Sequence, residues 1–126
     1  MKNLLERLRD ALGIELCEQG AAGVLLVHKP DQLKFKITVP YEVLEWFVEA
    51  YDDSGTIWSD WADYYAIDGE PREQLASDMQ ADIARCVTAL ARAELRVRLE
   101  PTAFKSTIER CIDGVWEEVS LQLLTA

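Results

Sequence analysis

Aromatic rings and carboxylates alternate along the segment between residues 43 and 65. Successive side chains of an extended strand point to opposite faces, so a hairpin of residues 43–51 and 56–65 would sort them into two sets. With Gly55 as a bulge and Asp52 opposite Thr56, one face interleaves rings with acids. Its members are Glu45, Phe47, Glu49, Tyr51, Ile57, Ser59, Trp61, Asp63 and Tyr65. Rings provide contact area and cation–π attraction, and carboxylates bind the arginine fork, so this face suits a cationic partner.

The opposite face of the predicted hairpin is apolar apart from Asp60, as expected of a face that packs on a core. Its apolar members are Leu44, Trp46, Val48, Ala50, Trp58, Ala62 and Tyr64. The rings and acids of the first face, together with one acid at the turn and one beyond the second strand, are our candidate partner-binding residues. They are Glu45, Phe47, Glu49, Tyr51, Asp53, Trp61, Asp63, Tyr65 and Asp68.

Three alternatives stay open for this segment. Residues 43–51 also fit a helical stripe, although their strand-forming types and the turn signal at 52–55 favour the hairpin. A helix or the terminal hairpin could cover the rings and leave only the acids exposed. A register error of one residue would exchange the two faces.

The acidity of the chain is concentrated in one region. The formal net charge is −10, and residues 42–82 hold twelve of the 23 acidic residues but only one of the 13 basic residues, Arg72. Eleven acids and twelve bases remain elsewhere, close to neutrality. Charge of one sign in one region steers an oppositely charged partner and disfavours nucleic acid. The alternative is that the acidity only maintains solubility.

Length and hydrophobic patterning predict one domain, residues 1–126, of class α+β. We expect a mostly antiparallel sheet of hairpins with a short N-terminal helix and one long central helix packed on it. The predicted helices cover residues 3–12 and 71–93, and the predicted strands cover 14–18, 24–29, 32–39 and 94–100. A type I turn is predicted at 29–32. A second hairpin turns at Asp113-Gly114, with Phe104, Ile108 and Ile112 on one arm and Val115, Val119, Leu121 and Leu123 on the other.

Catalytic motifs with a known mechanism are absent from the sequence, so we expect a protein that is not an enzyme, without cofactor or metal. The three cysteines are widely spaced and predict small buried side chains instead of disulfides. His28 follows an apolar run and predicts a structural role at a strand end. No apolar run reaches the ~18 residues of a membrane span, and no signal-peptide pattern opens the chain, so we expect a cytoplasmic protein.

The aromatic–acidic segment, the helix after it and the last hairpin together resemble bacterial polymorphic-toxin immunity proteins in style and organisation. The residues that carry the resemblance are residues 45–52, Ser54-Gly55, residues 57–61, residues 63–65 and Asp113-Gly114-Val115-Trp116. Such proteins are small, acidic, cytoplasmic α+β domains that neutralise a toxin by covering its active site. The resemblance implies a toxin domain as partner, often a basic one such as a nuclease.

Two other functions remain as alternatives. The leucine-rich first helix followed by Gly13-Ile14 is similar to the opening of type III secretion chaperones, which bind an effector and are usually dimers. Such chaperones usually end in an amphipathic helix, whereas this chain is predicted to end in a strand. The third alternative is a small ligand-binding domain or enzyme that uses carboxylates in a cleft. A monomer and a homodimer are both compatible with the sequence.

Overall fold

The computed structural model describes residues 1–100 and 105–126 of the chain. Helices in these ranges are α1 (Lys2–Leu12), α2 (Arg72–Arg92) and α3 (Leu121–Thr125). Strands in these ranges are β1 (Glu15–Gln19), β2 (Ala22–His28), β3 (Lys34–Pro40), β4 (Glu45–Asp52), β5 (Gly55–Asp63), β6 (Glu94–Glu100), β7 (Lys105–Ile112) and β8 (Val115–Glu118). The predicted α+β class is confirmed, with its short N-terminal helix and its long central helix.

The strands divide between two antiparallel sheets. Strands β1 to β5 form the larger sheet in chain order, and β6 to β8 form a three-stranded sheet. A two-residue turn joins β1 to β2, because Gln19 pairs with Ala22. Gly23, predicted to lie in the break between these strands, therefore lies inside β2. A Cβ at Gly23 would overlap the side chain of Leu5, so glycine at this position lets α1 pack closely on the sheet.

All three helices contribute to one core against a single face of the larger sheet. From α1 this core takes Leu4, Leu5 and Leu8. From α2 it takes Met79, Ile83, Cys86, Val87 and Leu90, which share one face of the helix at helical spacing. Each fully buried side chain of this size stabilises the fold by about 1.5–3 kcal/mol. Because the helices pack on one face of the larger sheet, that face is the buried one.

The C-terminal end of α2 is held by a lysine from the turn after β2. The Lys29 Nζ donates to the carbonyl oxygens of Ala91, at 3.3 Å, and Ala93, at 2.8 Å. A cation is favourable here because helix C-termini carry partial negative charge and unpaired carbonyls. Burial lowers the pKa of Lys29.

We expect Lys29→Met to lower the free energy of unfolding by about 1 kcal/mol, because two helix carbonyls lose their donor. Urea denaturation measures this change. Lys34→Met, on the next strand, is the control and should shift stability by less than about 0.5 kcal/mol. Equal losses in the two variants would contradict a capping role for Lys29.

Two local predictions are wrong. Asp31 and Gln32 have φ of 63° and 66°, whereas a type I turn requires negative φ, so residues 29–32 form a different turn. The main-chain N–H of Lys29 bonds to the Leu33 carbonyl across it, at 2.8 Å. Among the cysteines, Cys86 is buried as predicted, but Cys17 is exposed and Cys111 is intermediate.

For the last hairpin, the predicted turn is confirmed, but the predicted end of the second strand is wrong. Asp113 and Gly114 have φ of 51° and 80°, both positive, as type I′ requires. Beyond β8 the chain forms α3, because Ser120 Oγ accepts the Leu123 N–H and caps a helix. The predicted final strand through Leu121 and Leu123 is therefore replaced by a helix. Phe104, predicted on the first arm, lies outside the described residues.

Candidate functional site

The β4–β5 hairpin has the predicted pairing along most of its length. Phe47 lies opposite Trp61, Glu45 opposite Asp63, and Glu49 opposite Ser59. Residues 43–51 are therefore not helical, and the strand alternative is confirmed from residue 45. Below, the outer face means the face of this hairpin turned away from the helices. Its residues are Glu45, Phe47, Glu49, Tyr51, Ser59, Trp61 and Asp63.

The inner face of the hairpin is fixed by burial. Trp46, Val48 and Ala50 are 0%, 1% and 0% exposed. Trp58, Ala62, Tyr64 and Leu44 pack against the same core. The predicted core face is therefore confirmed, and strand alternation turns the odd-numbered residues of β4 outward.

A hydrogen-bonded chain ties the open end of the hairpin to α2. The Trp46 Nε1–H donates to the Tyr64 hydroxyl at 3.1 Å, and the Tyr64 hydroxyl donates to Asp82 Oδ2 at 2.7 Å. The other oxygen of Asp82 pairs with Arg85 at 2.6 Å. Burial, with the bond to Asp82, raises the pKa of Tyr64 well above its ordinary value. These bonds fix the orientation of the hairpin, and with it the direction of the outer face.

The two rings at the centre of the outer face are exposed. Phe47 is 40% exposed and Trp61 is 56% exposed, and they are direct cross-strand partners. Within the described residues, neither a helix nor the last hairpin covers these two rings. The alternative in which only the acids of this face are exposed is therefore wrong. Paired aromatic residues at the centre of a surface are a frequent source of binding energy.

Like charges lie directly opposite each other beside the aromatic pair. Glu45 faces Asp63 across the two strands, and within the described residues neither forms an ion pair. Like charges directly opposite on a sheet are destabilising. A cation placed between these carboxylates would relieve the repulsion.

Two lysines of β3 border the outer face, an arrangement that the sequence pattern did not predict. Lys36 pairs with Glu49, and Lys34 pairs with Tyr51. A depression of about 530 Å³ lies between these strands, lined in part by Lys36, Phe47 and Trp61. The only available signal was the alternation of lysine with apolar residues in 33–39, and it does not reveal which strand lies beside β3. The outer face is therefore acidic on β4–β5 and basic at its β3 border.

Three predicted site residues lie outside the strand region of the outer face. Asp53 is at the hairpin turn and exposed, while Tyr65 and Asp68 lie in the connection to α2. Tyr65 is 67% exposed, and Ile67, two residues later, is 76% exposed and was not among the predicted site residues. Glu70 orders this connection by accepting the main-chain N–H groups of Ile67 and Asp68, both at 3.0 Å. Main-chain donors at Glu70 and Asp68 lower the pKa of Glu70.

The predicted bulge at the hairpin turn is misplaced. Asp52 pairs with Gly55, not Thr56, and the extra residue is Ile57. Ile57 accordingly packs partly against the core instead of joining the outer face. Asp52 accepts from the Ser54 hydroxyl and the Ser54 N–H, and these bonds lower the pKa of Asp52. An aspartate that caps its own turn favours the shorter, two-residue connection.

His28 and the cysteines are the other residues whose side chains could bind a metal or take part in catalysis. His28 lies at the exposed end of β2, with its Nε2 3.2 Å from a Glu15 oxygen. In the described part of the chain, no three His, Cys, Asp or Glu side chains are arranged to hold a metal ion.

Comparisons of this chain with protein-family models, with curated proteins and with solved structures give no match. None of the helices in the described ranges combines the length and the apolar character that crossing a membrane requires. The fold and the outer face define an α+β protein with an exposed aromatic–acidic surface.

Proposed function

We propose that this protein binds a basic protein partner through the outer face of β4–β5, and that the partner is a bacterial toxin that it neutralises in the cytoplasm. The observation that carries the proposal is the exposed Phe47–Trp61 pair beside the opposed carboxylates of Glu45 and Asp63. The resemblance to immunity proteins is the reason for proposing a toxin as the partner. The residues of the outer face are the reason for proposing where and how the partner binds.

Binding energy in this proposal comes from two sources. An arginine of the partner stacks on Trp61 and donates to the carboxylates of Glu45 and Asp63, which removes their mutual repulsion. The two rings lose contact with water when the partner covers them, which contributes the apolar part of the energy. Lys34 and Lys36 at the border restrict the partner's orientation, because they repel its basic groups.

Trp61→Ala is expected to weaken binding at least roughly tenfold while the fold stays intact, because it removes the central ring of the surface. Binding to the product of the neighbouring gene, co-expressed and purified, is measured by calorimetry. Val115→Ala, an exposed apolar residue on β8, is the control and should leave affinity unchanged. Undiminished affinity of the Trp61 variant would show that the partner docks elsewhere.

The same co-expression separates the functional alternatives. Rescue of cells from the toxicity of the neighbouring gene product supports immunity. A stable homodimer that carries a secreted effector without any rescue would favour the chaperone. A metabolite retained through purification, with no bound protein, would favour the small ligand-binding domain or enzyme.

The association rate is expected to fall several-fold between low and physiological ionic strength, because salt screens the attraction between the acidic segment and a basic partner. Stopped-flow mixing at a series of salt concentrations measures it. The double variant Glu45→Gln, Asp63→Asn should show a weaker salt dependence, whereas Glu118→Gln on β8 should affect it less. A rate independent of salt would rule out electrostatic steering.

A further inference from the structure

A second cleft lies away from the outer face, where α2, β7 and α3 meet. Its volume is about 540 Å³, within the ~300–1,000 Å³ of small-molecule sites. The space exists because α2 presents the small side chains of Ala84, Thr88 and Ala89 toward α3, where Leu123 and Leu124 form the opposite wall. The cleft therefore has a largely apolar lining.

Three arginines line this apolar cleft: Arg85, Arg92 and Arg110. Arg85 is already occupied, because it pairs with Asp82 at 2.6 Å and donates to the Thr125 carbonyl at 2.9 Å. Arg92 is exposed at the rim. Three positive charges around one cleft are notable in a chain whose net charge is −10. Because Asp82 neutralises Arg85, Arg92 and Arg110 are the charges that remain to attract an anion to the cleft.

Arg110 is the most informative of the three. Its side chain is 16% exposed, and its nearest carboxylate, Glu117, is 4.0 Å from Nη2. Its Nε is buried and has no hydrogen-bond partner among the described residues. A buried donor left unpaired costs free energy, so most such groups in proteins have an acceptor. Because the Nε has almost no accessible surface, an acceptor in the cleft would bond to the Nη groups of Arg110.

We propose that this cleft binds an organic anion that joins one carboxylate to a short hydrocarbon body. The carboxylate accepts from Arg110 and Arg92, whose guanidinium groups match its geometry. The hydrocarbon body lies against Ala84, Ala89 and Leu123, which explains why the charged groups border an apolar lining. This site is independent of the proposed toxin-binding surface.

Octanoate is a suitable probe for the purified full chain. Calorimetry should give saturable binding, and the Arg110 Nε–H resonance should shift on titration. Octan-1-ol has the same hydrocarbon body without the charge, and inorganic phosphate has charge without the body. Both should bind at least roughly tenfold more weakly, since each lacks one half of the recognition.

Arg92→Gln and Arg110→Gln are each expected to weaken octanoate binding roughly tenfold. Arg7→Gln on α1 is the control and should bind like the unaltered protein. Because Arg92 is exposed, its variant keeps the test valid if the Arg110 variant does not fold. The proposal is overturned if octanoate gives no saturable shift at Arg110, if octan-1-ol binds as well, or if Arg7→Gln weakens binding equally.

Discussion

Trp46→Ala is expected to lower the free energy of unfolding by about 3–5 kcal/mol, the usual range for removing a large aromatic side chain from a core. Trp61→Ala is expected to lower it by less than about 1 kcal/mol, because only cross-strand contacts are lost. The two tryptophans lie on adjacent strands of one hairpin and differ in the face they occupy: Trp46 is 0% exposed and Trp61 is 56% exposed.

Chemical denaturation of both variants gives the two values from one type of experiment. The pair tests the assignment of faces directly, since a register shifted by one residue would reverse the two results. A Trp61 variant that unfolds would remove the outer face as a binding surface, because its ring would then belong to the core.

Tyr64→Phe is expected to lower stability by about 1–3 kcal/mol at neutral pH, since it leaves the buried Trp46 Nε1–H without its acceptor. Asp82 loses one donor but keeps Arg85. Tyr65→Phe is the matched control, because the adjacent hydroxyl belongs to a residue that is 67% exposed. A loss of stability in Tyr65→Phe as large as in Tyr64→Phe would contradict the role assigned to the Trp46–Tyr64–Asp82 chain.

The alkaline limit of stability follows from the same tyrosine and from Cys86. Burial raises the pKa of Tyr64 and raises that of the Cys86 thiol to about 12. Each group is neutral in the folded state at a pH where the unfolded state already loses its proton. Their contribution is complete below the unfolded pKa values, about 8.5 for Cys and 10 for Tyr, and declines as pH rises beyond them. Unfolding measured from pH 8 to 11 should therefore show a steady loss, and a smaller one above about pH 10 in Tyr64→Phe.

The hairpin was predictable because two independent signals agree. Alternation assigns Trp46 and Phe47 to opposite faces, and the Asp-Asp-Ser-Gly sequence places the turn. The position of the bulge was not predictable, because Gly55 tolerates φ of 121° within a shorter turn as readily as it would act as a bulge itself. Moving the extra residue to Ile57 changes its burial but leaves pairs further from the turn unaltered.

The final helix shows the limit of alternation as a signal. Val119, Leu121 and Leu123 are spaced as in a strand, yet Ser120 caps the helix and the buried residues are Leu121 and Leu124, at helical spacing. A five-residue helix is too short to show a clear period. Its contacts with α2 decide its form, and those contacts are invisible in the sequence.

The residue types of the candidate site were predictable from the sequence, but the residues that border the site were not. The sequence predicted the rings and acids of β4–β5, since strand parity alone puts them on one face. It did not place Lys36 beside Glu49, because that contact depends on β3 being the next strand in the sheet. Charge concentrated along the chain is thus a guide to the acidic part of a surface, and topology decides what borders it.

The chain order of the larger sheet has a consequence for how the protein folds. Because β1 to β5 are neighbours in space in the order of the sequence, every pairing closes a short loop and costs little chain entropy. Low contact order of this kind favours fast folding, so the meander can form early, with the helices then covering its apolar side. The outer face takes its shape from these local pairings, and the contact of β7 with β5 is a route by which changes in the β6–β8 sheet would reach that face.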